Sequence, residues 1–279
     1  MASTTSDASR TRKFSANGSA ETGLRAPSKW LWLAEYRAVY EFGFSLMAAP
    51  FLMAAPRGDG HPVLVLPGFL ASDASTDPMR AYLRALGYDA HGWELGRNVG
   101  GVTRMRSALR RRLDHVSQKA GQPVSVIGWS LGGIYARMLA LELPEAVRSV
   151  ISLGSPFSRD PNASNIAKLY EGVTGEGRTL EEKMTRALFA HAFDRIAGDL
   201  AMPSTSIYTK LDGIVDWRAC LLRENAITEN IEVIGASHAG LGVNAAVLWA
   251  VADRLAQPKG RFEPFVRGGP FVLGYGSGA

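Results

Sequence analysis

The sequence predicts an α/β protein, with a mostly parallel sheet and helices on both faces. Strand-like and helix-like segments alternate along residues 61–255, a rhythm that implies right-handed crossovers between parallel strands. The run Gly128-Trp129-Ser130-Leu131-Gly132 lies where a strand-like stretch gives way at once to a helix. A chain of 279 residues can also bury a full core within one such domain.

The elements follow in order. HPVLVLPGF holds a short buried strand over 63–66, closed by Pro67-Gly68. Residues 75–86 read as a helix capped at Ser75 or Thr76, with Pro78 in its first turn and Met79, Leu83 and Leu86 on one face. A strand over 88–93 comes next. The helix over 102–119 aligns Met105, Leu109, Leu113 and Val116 opposite its arginines. PVSVIGWS is a strand running into a turn, and the helix over 131–143 stops at Pro144. VRSVISLGSPF, TSIYTKL and NIEVIGAS supply three more strands, and residues 238–255 the last long helix.

Four segments fall outside this rhythm. Residues 1–28, rich in Ser, Thr, Ala and Gly, read as a disordered leader. Residues 29–56 form an apolar N-terminal helix interrupted by Glu35, Arg37 and Glu41. Its uncharged run, 42–56, falls short of the roughly 20 residues that span a bilayer, and Pro50 would kink it. The apolar run also begins too late for a signal peptide. The expectation is an amphipathic helix docked on the domain, with peripheral membrane contact through 30–56 as the alternative. An insertion over about 155–204 interrupts the core domain of 57–257, and such excursions usually carry function. The Gly/Pro-rich tail, 258–279, is expected to pack loosely or not at all.

Composition narrows the function classes. With 46% hydrophobic and 20% charged residues, the chain is neither disordered nor fibrous. Cys220 is the single cysteine, which excludes an internal disulfide and any multi-Cys metal site and fits a reducing, cytoplasmic setting. The net charge of +5 gathers in the leader and in Arg104, Arg106, Arg110, Arg111 and Arg112. No aromatics interleave with that second cluster, so it reads as a solvated helix face and not a nucleic-acid surface. Weak attraction to anionic lipid stays open. The histidines show no paired spacing and no phosphate-binding loop precedes a lysine, so no metal or organic cofactor is implied.

The chemical signal is Ser130. A strand-to-helix turn this sharp needs small flanking residues, which Gly128 and Gly132 supply, and it raises the hydroxyl above the sheet edge over a helix N-terminus. A serine needs a base. His61 precedes a strand, His115 lies in the arginine-rich helix and His191 in the insertion; His91 ends a strand but precedes the serine. His238 follows the last strand, on the same carboxyl edge as Ser130, and is the expected base. The base needs a carboxylate. Asp212, just past a strand and followed by Gly213, is favoured over Asp216, which could cap the next helix, and over the more distant Asp160.

The order Ser130, Asp212, His238 and the runs VLVLPGFL, GWSLGG, LGSPF, KLDGIVDW and GASHAGL resemble the α/β-hydrolase superfamily over about residues 61–255. Within it the chain is similar to bacterial serine esterases and lipases with an LPGF-type oxyanion loop. The relatives carry the acid in a D-G-I-V-P-type stretch; here Asp216 replaces the proline, which supports Asp212 and leaves Asp216 some claim. The resemblance implies an α/β-hydrolase fold whose insertion is a cap or lid, and an oxyanion hole made by the N–H groups of Leu131 and Phe69. It implies acyl transfer to water through an acyl-enzyme, on a small-molecule or lipid ester. Trp129, Phe157, Phe189 and Phe193 are candidate substrate contacts, although the stripe of Phe189, Phe193, Ile196 and Leu200 could equally pack onto the sheet domain. An acyltransferase or thioesterase would use the same triad, and a non-catalytic binding protein remains a third reading. The oligomeric state is open.

Overall fold

The computed structural model describes residues 23–158, 163–165 and 194–277. Six strands, β1 (Pro62–Leu66), β2 (Asp89–Gly92), β3 (Val124–Trp129), β4 (Val147–Leu153), β5 (Ser204–Tyr208) and β6 (Thr228–Glu232), form one sheet in the order β2-β1-β3-β4-β5-β6. Every neighbouring pair is parallel. Alternation along β1 divides the core: Val63 and Val65 join a buried cluster with Met79, Leu83, Val247 and Val251, while Leu64 and Leu66 join Leu109, Leu113, Tyr135 and Leu139 on the opposite face. The helices that supply these residues are α4 (Asp73–Ala85) and α7 (Ala245–Leu255) on the first face, and α5 (Val102–Ala120) and α6 (Leu131–Glu142) on the second.

Two helix starts differ from expectation. α4 begins ahead of Ser75, because the Asp73 carboxylate accepts the N–H groups of Trp93 and Glu94, each at 2.9 Å, and fixes the first turn from outside. The hydroxyls of Ser75 and Thr76 donate back to the carbonyls of Ser72 and Asp73 instead of capping, and Pro78 lies inside the helix. α7 begins at Ala245 and not at His238. Ser237 Oγ accepts the N–H of Gly240 at 2.9 Å, holding this stretch in turns until Asn244 caps the helix through Ala246 N–H at 3.0 Å.

The apolar N-terminal segment is helical in pieces: α1 (Lys29–Leu33), a 3-10 turn (Ala34–Arg37), α2 (Ala38–Met47) and α3 (Ala49–Leu52), with Pro50 in the first turn of α3. It docks on the domain, but largely by its polar side. Glu35, Arg37, Glu41 and Ser45 all bond to the loops beneath, while Trp30, Tyr36, Tyr40, Phe44 and Met47 are exposed. Ala48, Leu52 and Ala55 complete the attachment in the first core cluster. No helix among the described residues is long and apolar enough to cross a membrane.

Both ends of the chain correct the sequence reading where they are described. Residues 23–28 are tied down: Arg25 N–H donates to Asp216 Oδ2 at 3.0 Å and Asn165 Nδ2 to the Pro27 carbonyl at 3.2 Å. The rest of the leader lies outside the described residues. The tail is not loose. Tyr275 bridges Val233, is buried, and donates its hydroxyl to the Ala246 carbonyl at 2.8 Å; Phe271 packs edge-on against Trp249. Of the insertion, Phe189, Phe193, His191 and Asp160 lie outside the described residues. Ile196 and Leu200 are buried in the second cluster. Arg137, buried in α6, ties this return to the sheet: it donates to the carbonyls of Ile196 and Gly198 and to Ser204 Oγ at 2.7 Å.

Candidate active site

Parallel strands put the ends of β1, β3, β4, β5 and β6 on one edge. Strand order reverses between β1 and β3, where an open crevice forms in such sheets. Ser130 stands at the end of β3 with φ 54° and ψ −119°, a conformation few non-glycine residues adopt. The neighbours enforce it. A methyl group on Gly128 would run into the backbone of Gly132 and Gly133, and one on Gly132 into the carbonyl of Leu66. Ser130 N–H donates to the Leu153 carbonyl at 2.8 Å, binding the turn to the end of β4.

Leu131 opens α6, so its N–H has no acceptor within the helix and points out of the helix end. The loop carrying Phe69 approaches closely: a Cβ on Gly68 would lie 3.3 Å from Ser130 Cβ. Asn98 fixes that loop and was not visible in the sequence as a site residue. Fully buried, it donates Nδ2 to the Pro67 carbonyl at 2.9 Å and its own N–H to the Ala71 carbonyl at 2.8 Å, and its carbonyl accepts Leu70 N–H at 2.7 Å. The signal that could have found it is a lone amide in the glycine-rich run RNVGG.

Asp212 and His238 are brought together. His238 Nδ1 lies 2.7 Å from Asp212 Oδ2, and both residues are buried. The other carboxylate oxygen accepts the N–H groups of Ile214 at 2.8 Å and Val215 at 2.7 Å, so the Asp212-Gly213 turn holds its own side chain. Asp216 makes no bond to histidine among the described residues; it caps the 3-10 turn Trp217–Cys220 through Arg218 N–H and accepts Arg25 N–H. Burial alone would lower the His238 pKa, but the charge and hydrogen bond of Asp212, with Glu35 behind them, outweigh it and hold the imidazole above its ordinary 6.5.

Ser130 Oγ makes no hydrogen bond to His238 among the described residues. The link runs through Trp129, whose indole N–H donates to the His238 carbonyl at 3.0 Å while its ring lies against Gly242. Trp129 therefore braces the His238 loop. Phe157, expected as a pocket residue, is buried in the second core cluster with the Arg137 guanidinium 5.2 Å from its ring centre. A cavity of about 690 Å³ borders Asp212, with Arg25, Leu31, Asp216 and Trp217 in its wall, but Ser130, Leu131 and Phe69 do not line it.

The remaining described histidines are engaged elsewhere. His91 pairs with Asp89 at 2.8 Å on edge strand β2, and His115 is exposed on α5. His61 is part of a second Ser-His-Asp set: Nδ1 meets Asp59 Oδ1, and Nε2 lies 3.0 Å from Ser125 Oγ. This set sits at the opposite edge of the sheet, with His61 and Ser125 almost fully enclosed. Burial and the nearby Arg148 push the His61 pKa down against the pull of Asp59.

The sheet order, the strained serine turn and the glycines packed beneath it define an α/β-hydrolase-fold protein. The family model for the alpha/beta hydrolase fold matches residues 61–178, which include the Ser130 turn but not Asp212, His238 or the N-terminal helices. No curated protein matches the sequence. Among solved structures, the chain is similar to lipase B of Aspergillus fumigatus (18% identity, TM-score 0.53), over 75% of this chain and 57% of that one. It is also similar to a monoacylglycerol lipase of Paleococcus ferrophilus (14%, TM-score 0.50), over 72% and 96% of the two chains. A metagenome-derived lipolytic enzyme matches at 12% identity and TM-score 0.50, over 72% and 93%. At these identities the likeness is one of fold.

The two buried histidines should titrate on opposite sides of 6.5. Folded His238 keeps its proton to higher pH than the unfolded chain, so its share of stability is full below about 6.5 and is lost as pH rises through the folded pKa. His61 works the other way, and its share is lost as pH falls below about 6.5. Imidazole NMR titration checks both; a His238 midpoint at or below 6.5 would remove Asp212 as its charged partner. His61→Ala should cost about 2–5 kcal/mol in urea unfolding by emptying the space of a buried ring, since Ser125 keeps Ser149 and Asp59 keeps Arg148 as partners, and leave the His238 titration where it was.

Proposed function

We propose that the protein is a serine carboxylic ester hydrolase of the esterase or lipase type. The observation that carries this reading is the strained Ser130 on the sheet edge that also bears the hydrogen-bonded Asp212–His238 pair. Asp212 engages Nδ1 and so leaves His238 Nε2 as the basic nitrogen. As Ser130 Oγ attacks the acyl carbonyl, Nε2 takes its proton; the imidazolium, stabilised by Asp212, then protonates the departing alcohol. Water repeats the sequence on the acyl-enzyme and releases the acid. The N–H groups of Leu131 and Phe69 are the proposed oxyanion donors, each worth about 3 kcal/mol in the transition state.

The N-terminal helices favour a lipid-type ester. Their polar side is occupied with the loops below, so the face with Trp30, Tyr36, Tyr40, Phe44 and Met47 turns outward beside the same loops. A surface helix ordinarily does the reverse. Aromatics mixed with aliphatics, with Arg25 and Lys29 at one end, suit the boundary of an anionic lipid surface. We assign that occupant to the face, and cap contacts to Phe189 and Phe193 remain part of the proposal.

Hydrolysis of p-nitrophenyl esters across acyl lengths should peak at one length, and Ser130→Ala should lower kcat by about 10⁴-fold or more. Acyl transfer to an added alcohol in preference to water would move the assignment to acyltransferase. No turnover of any ester or thioester would sink the hydrolase reading. The protein should also co-sediment with anionic vesicles more than with zwitterionic ones, and the triple variant Trp30→Ser, Tyr40→Ser, Phe44→Ser should lose that binding. Equal recovery of variant and wild type, or a dimer in light scattering that the variant dissolves, would overturn the lipid assignment.

A further inference from the structure

The segment before the sheet domain reaches the catalytic loops with three charged side chains. Glu35 Oε1 accepts the N–H groups of Gly213 at 2.7 Å and His238 at 3.1 Å, and Oε2 accepts that of Ala239 at 2.7 Å. One carboxylate thus bonds the loop that carries Asp212 to the loop that carries His238. Arg37 spans the same gap from its own side, donating Nη2 to the carbonyls of Leu211 at 2.7 Å and Ala236 at 2.9 Å. Glu41 secures the base loop further along, accepting Ser237 N–H at 2.8 Å, Ser237 O–H at 2.6 Å and Asn244 Nδ2 at 2.8 Å.

The loops are shaped for these partners. A Cβ on Gly213 would collide with the Leu31 carbonyl, and one on Gly240 with the Glu41 carboxylate. Neither glycine has positive φ, so close approach and not backbone freedom is what requires them.

We propose that Glu35 is a positioning residue: it holds the Asp212 and His238 loops in register, so that the N-terminal segment supplies part of the active-site framework. The inference rests on the hydrolase reading for its kinetic consequence, but not for its structural one. Asp212 joins the two loops by a side-chain bond to the imidazole, but Glu35 bonds the backbone of both from outside them, and the separation of 203 residues between Glu35 and His238 makes that link a tertiary cross-tie. Beyond the cross-tie, the Glu35 charge acts on the imidazole, adding to the upward pull of Asp212 against burial. The charged groups that face the base loop are Asp212 from the loop after β5, and Glu35, Arg37 and Glu41 from the N-terminal segment.

Glu35→Gln keeps the shape, removes the charge and leaves one acceptor oxygen for three N–H groups. Its kcat should fall about ten- to a hundred-fold with KM within twofold. The acid limb of kcat/KM should move to lower pH, because the free-enzyme limb follows the base. The His238 imidazole, titrated by NMR in a Ser130→Ala background, should show the same downward movement. Ser45→Ala removes another bond of the same segment, to the Val243 carbonyl at 2.6 Å, and should lower Tm while leaving kcat and the pH limb unchanged. A Glu35→Gln enzyme with wild-type kcat and limb, or one whose loss matches its unfolded fraction, would overturn the proposal. Should that variant not fold, Glu35→Asp keeps the charge but withdraws it by one methylene; an unchanged kcat there would overturn it equally. If the wild type turns over no ester, the hydrolase reading falls, and the NMR titration still decides the role of Glu35.

Discussion

Nothing larger than hydrogen fits between the end of β3 and the start of α6. Gly128 lies against the backbone of Gly132 and Gly133, and Gly132 against the end of β1. That closeness forces Ser130 into its strained conformation, because the chain must reverse within one residue. It also sets what surrounds the serine. α6 has to start at Leu131, which leaves that N–H without a helical acceptor, and β1 has to lie next to β3, which brings the Gly68 loop alongside. Asn98 then holds the far side of that loop from within the core. The proposed nucleophile and oxyanion donors are thus consequences of one packing contact.

The proposed acid and base have no comparable support from the sheet. Asp212 follows β5 and His238 follows β6 at the ends of excursions well past the last paired residues. Loops this far from a ladder need their backbone groups satisfied by something else. The domain provides some of that internally, through the turn at Asp212 and the Trp129 indole on the His238 carbonyl. The remainder comes from Glu35, Arg37 and Glu41 on a segment that precedes the first strand and folds back over the loops after β5 and β6.

Much of this was legible in the sequence, and the exceptions have a common cause. The strands were placed by their alternation with helices and their β-branched residues, although the last begins at Thr228, ahead of the run NIEVIGAS, and ends at Glu232. The serine turn was legible because its steric demand is local. Asp212 is the carboxylate that bonds His238, since the glycine after it makes the turn that aims its side chain. Glu35 and Glu41 read as breaks in an apolar helix, because their partners lie about two hundred residues away and leave no local trace. The same distance hid the start of α7, where turns depend on Glu41. The tail misled through its glycines, since three aromatics among them, Phe265, Phe271 and Tyr275, fill the groove beside α7. Trp129 and Phe157 were read as substrate contacts by type alone, and the structure engages one with the His238 loop and the other with Arg137.

The sheet presents Asp, His and Ser together at both of its edges, and by hydrogen bonding the set at the amino edge is the more complete. Asp59, His61 and Ser125 form an unbroken chain of hydrogen bonds, whereas His238 and Ser130 make none with each other. A proton relay is therefore easily assembled from ordinary structural polar groups. At the amino edge His61 and Ser125 are enclosed by packing, whereas at the opposite edge the backbone conformation of Ser130 raises its hydroxyl and the residue is only partly buried. The same three residue types thus serve, at the amino edge, as a rivet between the start of β1 and β3.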